Sequence, residues 1–137
     1  MSEKLRIGIV GLGLMGSSIA TCILAAGHEV TSLIRNIEKS DEAKERILNF
    51  LVQLQEEGML KEDPNIVLER LTITNDYSLF ANHDVVIESI IENVEDKKRV
   101  FQQLENVLSP TAIIGSNTSA IPVTILQSGL KRPERLL

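Results

Sequence analysis

The sequence is poor in aromatic residues and cysteine, and it has no long apolar run. With three Phe, one Tyr and no Trp among 137 residues, the core must be mostly aliphatic, as in the interior of a parallel sheet. The single Cys22 excludes an internal disulfide, and no spacing typical of a zinc site is present. No stretch approaches the ~20 apolar residues of a membrane helix, and no signal peptide is recognisable. These absences favour a cytoplasmic protein without a metal site.

Positive charge is also in deficit, since 14 Lys and Arg stand against 19 Asp and Glu, for a formal net charge of −5. Nucleic acids and anionic membranes select for clustered basic charge, so neither is an expected partner. An anionic ligand would have to be held locally, by backbone N–H groups and a few placed cations. The length fits one domain, which we predict over residues 1–137.

Short aliphatic runs alternate with amphipathic segments along the chain. This alternation predicts a doubly wound, mostly parallel α/β sheet, with a helical excursion after the second strand. The predicted strands are 5–10, 29–34, 71–74, 84–88 and 111–115. Helices are predicted over 14–26, from Ser40 to a stop at Gly58, from Asp63-Pro64 to about Leu71, over 94–108, and from near Ile121-Pro122. On the first helix the expected apolar stripe is Met15, Ile19, Cys22, Ile23 and Ala26.

A glycine-rich segment, Gly11-Leu12-Gly13-Leu14-Met15-Gly16, joins the first predicted strand to the first helix. In a G-x-G-x-x-G loop at this place, the first glycine permits a tight turn and the second lets the backbone approach a pyrophosphate. The third allows the helix to pack close to the sheet. Exposed N–H groups and the helix dipole then attract phosphates. A structural glycine turn is the alternative, but the strand–loop–helix context favours a dinucleotide site formed by these six residues, a Rossmann fold.

The end of the second strand bears on the choice of cofactor. NAD-binding domains usually carry Asp or Glu there, which accepts hydrogen bonds from the ribose. This sequence has Ile34, then Arg35 and Asn36, with Lys39 close behind. Without the carboxylate a 2′-phosphate becomes tolerable, and Arg35 could form a forked contact with it. NAD or NADP is therefore expected, with a preference for NADP; alternatively, Arg35 stacks on the adenine or lies in solvent.

Three stretches resemble the cofactor-binding domain of the 3-hydroxyacyl-CoA dehydrogenase family. The glycine loop and its flanks are shared with several nicotinamide dehydrogenases. A more specific match is the stretch over residues 84–97, Asp-Val-Val-Ile-Glu-Ser-Ile-Ile-Glu-Asn-Val-Glu-Asp-Lys. The most specific match is Gly115-Ser116-Asn117-Thr118-Ser119-Ala120-Ile121. The last stretch is similar to the family's Ser-Asn-Thr-Ser loop. Together these matches cover the chain in order.

The resemblance implies roles for individual positions. Glu92 and Lys97 would lie near the ribose on the nicotinamide side. Ser119 would hydrogen-bond the substrate and the nicotinamide end, and Asn117 would support that loop, which makes these two residues the catalytic candidates. Asn117 and Ser119 could instead cap the helix that begins near Ile121-Pro122. Glu88 is expected to be a strand-end residue without a catalytic role.

The activity implied by the resemblance is hydride transfer between C3 of a 3-hydroxyacyl-type substrate and the nicotinamide C4. In the family, a catalytic His and a helical domain for substrate binding and dimerisation follow a segment like residues 132–137. We therefore expect this chain to bind dinucleotide with little or no turnover, and a homodimer only for the full-length enzyme.

Two further questions stay open in the sequence. In the family, lysines after the second strand help to hold coenzyme A. The equivalent stretch of this sequence carries Glu56 and Glu57 instead. Whether the acyl substrate is linked to coenzyme A therefore stays open. The alternatives to this family are another β-hydroxyacid or glycerol-phosphate-type dehydrogenase, and a non-catalytic dinucleotide-sensing module.

Overall fold

A computed structural model, which describes residues 5–137, contains one five-stranded parallel sheet. The strands are β1 (Ile7–Val10), β2 (Val30–Leu33), β3 (Leu71–Thr74), β4 (Val85–Glu88) and β5 (Ile113–Ser116). Their order across the sheet is β3-β2-β1-β4-β5, and every neighbouring pair is parallel. The predicted doubly wound sheet is thus confirmed. Four strands begin one or two residues later than predicted. Among them, β1 begins after Arg6, whose backbone N–H donates to the Asp84 carboxylate at 2.9 Å.

Helices cover both faces of the sheet. They are α1 (Leu14–Ala25), α2 (Ser40–Glu56), α3 (Pro64–Leu68), α4 (Val94–Val107) and α5 (Val123–Gln127), with single 3₁₀ turns at Ile37–Lys39, Tyr77–Phe80 and Pro133–Arg135. The predicted excursion after the second strand is present as α2 and α3. Asp63 accepts a hydrogen bond from the Asn65 N–H at 2.9 Å and so caps α3, with Pro64 in its first turn. None of the helices described is long and apolar enough to cross a membrane.

Two apolar clusters lie on the two faces of the sheet. One is formed with α1, α2 and α3 and includes Ile9, Leu24, Ile47, Leu51 and Val67. The other is formed with α4 and α5 and includes Val86, Phe101, Leu104, Ile114 and Leu126. Both are built almost wholly of aliphatic side chains, as the composition predicts. A sheet covered on both faces leaves its carboxyl edge as the place where a ligand can bind.

The predicted apolar stripe of α1 is wrong in part, since only Ile19 and Ile23 of its five residues pack against the core. Its buried residues are Gly16, Ser17, Ala20, Thr21 and Leu24, whereas Met15 and Cys22 are exposed. The reason is the glycine loop, which brings the start of α1 so close to the sheet that only small side chains fit between them. The Ser17 and Thr21 hydroxyls are satisfied locally by the Leu12 and Ser17 carbonyl oxygens, at 3.1 and 2.8 Å.

Candidate dinucleotide site

The register of the sheet brings four connecting segments to one edge. Val10 pairs with both Leu33 and Glu88, and Glu88 pairs in turn with Ser116. The chain therefore leaves β1, β2, β4 and β5 at the same level. After β1 the chain goes to one side of the sheet, through β2 to β3, and then returns to the other side for β4 and β5. This is a topological switch point, where open α/β sheets bind their ligands.

A cleft of about 570 Å³ opens at the switch point. It lies between the glycine loop, the segment after β2, the start of α2 and the segment after β4. Residues on its walls include Gly11, Gly13, Arg35, Lys39, Arg46 and Ile90. The wall thus combines backbone, apolar side chains, three cations and the two carboxylates of Glu42 and Asp96. Its open backbone and its cations suit a ligand with a flat base and phosphates.

The three glycines of the loop lie in three different environments. Gly11 has a φ of 100°, and a Cβ there would overlap the carbonyl oxygen of Ser89. A Cβ on Gly16 would overlap the carbonyl oxygen of Gly11. Around Gly13, in contrast, no other described atom lies within 4 Å of where a Cβ would stand. The first and third glycines are needed to close the loop, and the second leaves open space where a pyrophosphate can approach the backbone.

The other loop residues contribute through their backbone. Leu14 and Met15 are exposed at the start of α1, while Leu12 packs into the core. Neither a side-chain cap nor an acidic residue occupies the first turn of α1 in the described chain. The N–H groups of this turn have no partner within the helix, so they are available to a phosphate. The residues present therefore fit a dinucleotide.

Arg46 is a part of the cleft that the sequence does not reveal. Its Nη1 donates to the Leu12 carbonyl oxygen at 2.8 Å, and its Nη2 lies 4.0 Å from Glu42 Oε1. Its side chain is 33% exposed. Because the contact joins residues 34 positions apart, no local spacing indicates it. Arg46 holds the glycine loop from α2 and adds a positive charge beside it.

The segment after β2 places both cations predicted for the cofactor on the cleft. Arg35 and Lys39 are exposed and lie on its wall. Asn36 has a structural task, since its Oδ1 accepts from the Glu38 N–H at 3.1 Å. Burial raises the pKa of Tyr77, and the nearby charge of Arg35 opposes that rise. The guanidinium thus lies close to an aromatic ring at the mouth of the cleft, within reach of either a phosphate or a base.

Beyond the cleft, a buried polar network surrounds the end of β4. Glu88 and Lys97 are both 0% exposed, and Lys97 Nζ lies 2.5 Å from Glu88 Oε2. The same oxygen accepts from the Ile90 N–H at 2.7 Å, and Oε1 accepts from Ser116 Oγ at 2.5 Å. We predicted Glu88 to be a strand-end residue, and it is one, but its carboxylate also ties β5 and α4 to the end of β4. The apolar run before it gives no sign of this role.

Glu92 continues that network to the surface. Its Oε1 lies 3.2 Å from Lys97 Nζ, and its Oε2 accepts from Thr118 Oγ1 at 2.8 Å. The Thr118 hydroxyl, with a smaller contribution from Lys97, holds the pKa of the Glu92 carboxyl below its ordinary value. Glu92 and Lys97, both expected near the ribose on the nicotinamide side, are thus in contact with each other. Of the two, only Glu92 reaches the surface, and Lys97 is covered.

Asn117 and Ser119 lie on the exposed part of the Ser-Asn-Thr-Ser loop. The Asn117 N–H donates to the Glu88 carbonyl oxygen at 2.8 Å, and its Nδ2 to Ser89 Oγ at 3.2 Å. Neither residue caps α5; Thr118 Oγ1 accepts from the Ile121 N–H instead, at 3.3 Å. Ser89 also packs against the glycine loop, so it joins the two candidate halves of the site.

No group of three or more His, Cys, Asp or Glu side chains that could hold a metal ion occurs within residues 5–137. A glycine loop at the switch point of a doubly wound parallel sheet defines a Rossmann-type dinucleotide-binding domain.

Comparison with known proteins gives the family within that class. Residues 6–137 match the model of the 3-hydroxyacyl-CoA dehydrogenase NAD binding domain, so the chain belongs to this family. It is 36% identical to a probable 3-hydroxybutyryl-CoA dehydrogenase of Deinococcus radiodurans and 34% identical to a 3-hydroxybutyryl-CoA dehydrogenase of Mycobacterium tuberculosis, over 97% and 100% of its length. The crystal structure of M. tuberculosis FadB2 superposes with a TM-score of 0.91 at 32% identity, over 98% of this chain and 48% of that one. The chain spans 48% and 49% of the two curated relatives.

Proposed function

We propose that this chain is the dinucleotide-binding part of an enzyme that oxidises a 3-hydroxyacyl substrate to its 3-keto form. The observation that carries the proposal is the joining, through Ser89, of the glycine loop to the loop that bears Asn117 and Ser119. A dinucleotide with its pyrophosphate at Gly13 can extend along that edge towards Ser119. A bound dinucleotide would supply the hydride acceptor, and the residues of this chain would bind and orient it.

In this proposal the chain orients the reactants but does not remove the hydroxyl proton. Ser119 and Asn117 supply polar groups to the substrate and the nicotinamide end, and Glu92 faces the ribose on that side. The two histidines do not fit the role of base, because His28 and His83 precede β2 and β4 and so lie at the opposite edge of the sheet. The base belongs to another part of the full-length enzyme.

Binding and turnover by residues 1–137 test this division of roles. Titration with NADH or NADPH, followed by nicotinamide fluorescence, should give saturable binding. Assay of the same preparation with 3-hydroxybutyryl-CoA and NAD or NADP should give no appreciable turnover. Failure to bind either reduced dinucleotide would contradict the proposed function. Appreciable turnover would contradict the assignment of the base to another part of the enzyme.

We also propose that the cofactor is NADP rather than NAD. The support is the absence of a carboxylate directly after β2 and the presence of Arg35 and Lys39 on the cleft wall, where a 2′-phosphate would gain two cations. Arg35→Glu should reverse a preference for NADPH, whereas Lys44→Glu, an equal charge change on an exposed residue of α2 outside the cleft wall, should not. Tenfold tighter binding of NADH by the unmodified chain would contradict this choice.

For the acyl carrier we propose coenzyme A, because the relatives are named as CoA-thioester dehydrogenases. The acidic segment at Glu56 and Glu57 follows Arg46 by ten residues of α2, or about 15 Å along the helix axis, and so lies away from the cleft. The full-length enzyme should prefer 3-hydroxybutyryl-CoA to free 3-hydroxybutyrate; equal kcat/KM values would contradict a CoA carrier. The cytoplasmic location, the absence of nucleic-acid and membrane partners and the homodimer of the full-length enzyme stay predictions.

A further inference from the structure

The buried charges at the end of β4 are not used by the proposed reaction. Glu88 and Lys97 are 0% exposed, so neither can touch a ligand in this arrangement. Taking both charges out of water is costly. Replacing such a buried ion pair with well-packed apolar side chains often leaves the stability of a protein unchanged or raises it. Stability of the fold alone therefore does not account for the pair.

All hydrogen-bonding capacity of Lys97 is directed inwards. Its Nζ contacts Glu88 Oε2 at 2.5 Å, Glu92 Oε1 at 3.2 Å and the Ile90 carbonyl oxygen at 3.4 Å. An ammonium group has three hydrogens, and these three acceptors use them. Lys97 therefore has no donor left for a cofactor, and it can act on one only through Glu92.

Glu88 accepts hydrogen bonds from several segments of the chain. Its side chain accepts from Lys97 on α4, from the Ile90 N–H after β4 and from Ser116 at the end of β5. Its backbone carbonyl accepts from the Asn117 N–H. One residue thus fixes both segments that carry the predicted nicotinamide-side groups, since Glu92 lies after β4 and Ser119 follows Ser116 and Asn117.

We propose that Glu88, neutralised by Lys97, is a positioning residue for the nicotinamide side of the cofactor site. It acts by fixing Glu92 and the Ser116–Ser119 loop, without contact to the ligand. The inference rests on the proposed function, because it requires the nicotinamide half of a dinucleotide to lie beside these segments. It also predicts a separation: the adenine half, which binds between the glycine loop and α2, should not depend on Glu88.

The test uses a pair of substitutions that removes both charges together. Glu88→Gln or Lys97→Met alone leaves a buried charge without its partner, which threatens folding whatever the role of the pair. The double variant Glu88→Gln/Lys97→Met leaves no such charge, so it should fold with a Tm near that of the unmodified chain. Its dissociation constants for NAD(P)H and for ADP, a ligand limited to the adenine half, are then compared with those of the unmodified chain.

We expect the double variant to bind ADP within twofold of the unmodified chain and the reduced dinucleotide at least tenfold more weakly. If both ligands bind within twofold, the pair is only structural and the inference is wrong. Equal weakening of both ligands would also contradict it, because the effect would then be general. If the unmodified chain itself fails to bind NADH or NADPH, the proposed function fails instead.

A milder variant separates the role of Glu88 from that of Lys97, which the family resemblance implies to lie near the ribose. It also keeps the inference testable should the double variant fail to fold. Ser116→Ala leaves the ion pair intact and removes only the hydroxyl that Glu88 Oε1 accepts from. It should weaken NAD(P)H binding about threefold to tenfold, by the loss of one charge-assisted hydrogen bond on a partly buried group, and leave ADP binding unchanged. NAD(P)H binding equal to that of the unmodified chain would contradict the positioning role.

Discussion

The two ends of the candidate site are constructed in different ways. At the end proposed for the adenine half, between the glycine loop and α2, the wall is open and its cations Arg35, Lys39 and Arg46 are at least partly exposed. At the end proposed for the nicotinamide half, Glu88 and Lys97 are buried and their charges are paired. Backbone amides and open space suffice to hold phosphates. At the end where the chemistry is proposed, the exposed polar groups are instead held in place by the buried pair. Mutations at the two ends should therefore differ in both stability and ligand dependence.

The largest effect on binding is expected from closing the glycine loop. Gly16→Ala places a methyl group against the Gly11 carbonyl oxygen, so the loop or the start of α1 must shift. NAD(P)H and ADP binding should both fall by more than about 100-fold, as a loss of phosphate contacts would require. Isothermal titration calorimetry measures both ligands.

Gly27→Ala is the matched control for that experiment. Gly27 has a φ of 100°, like Gly11, but no other described atom lies within 4 Å of where its Cβ would stand. Strain at this φ should cost about 1–2 kcal/mol of the free energy of unfolding, with ligand binding unchanged. A Gly16→Ala variant that binds as Gly27→Ala does would show that the close approach of Gly16 to Gly11 is not required.

The largest effect on stability is expected from Lys97→Met alone. The substitution leaves the Glu88 carboxylate buried without its cation, which should lower the free energy of unfolding by about 3–5 kcal/mol. Arg99→Met removes the same charge from the same helix, but from a side chain that is 68% exposed and lies 3.5 Å from Asp96 Oδ1. It should cost less than about 1 kcal/mol. Urea denaturation measures both, and equal costs would remove the contrast between buried and exposed pairs.

A smaller effect, common to both ligands, is expected from Arg46→Met. The variant loses the hydrogen bond to the Leu12 carbonyl oxygen and one positive charge beside the glycine loop. ADP and NAD(P)H should both bind about tenfold more weakly, which corresponds to about 1.4 kcal/mol. Lys44→Met removes the same charge from an exposed position of α2 and should change neither. Weaker binding of NAD(P)H with unchanged binding of ADP would contradict the assignment of Arg46 to the adenine half of the site.

The smallest effect is a change in one ionisation. Thr118→Val removes the hydroxyl that holds the pKa of Glu92 below its ordinary value of 4.5, so that pKa should rise. A carboxyl whose pKa is lowered by folding adds stability above its unfolded pKa, and this is lost as the pH falls through the folded pKa. In the variant this contribution should therefore be smaller, and its loss should be complete at a higher pH. Carbon-13 NMR titration of Glu92 measures the shift, and an unchanged pKa would contradict the contact.

The difference between the two ends also explains what could be predicted from the sequence. The glycine loop and the alternation of strands and helices are local patterns, so the sheet and the phosphate site follow from spacing. The Glu88–Lys97 pair and the Arg46–Leu12 contact join residues that come together only after folding. The α1 stripe failed for the same reason, because the close approach of helix and sheet overrides apolar periodicity.

The division of the site can be tested most directly by mapping backbone amide chemical shifts of the unmodified chain during titration with NAD(P)H and with ADP. Both ligands should shift the amides of Gly11–Gly16 and of the segment after β2. Only the reduced dinucleotide should also shift those of Glu92 and Asn117–Ser119. Shifts confined to the Glu56–Lys61 segment, or identical sets of shifts for the two ligands, would contradict the account.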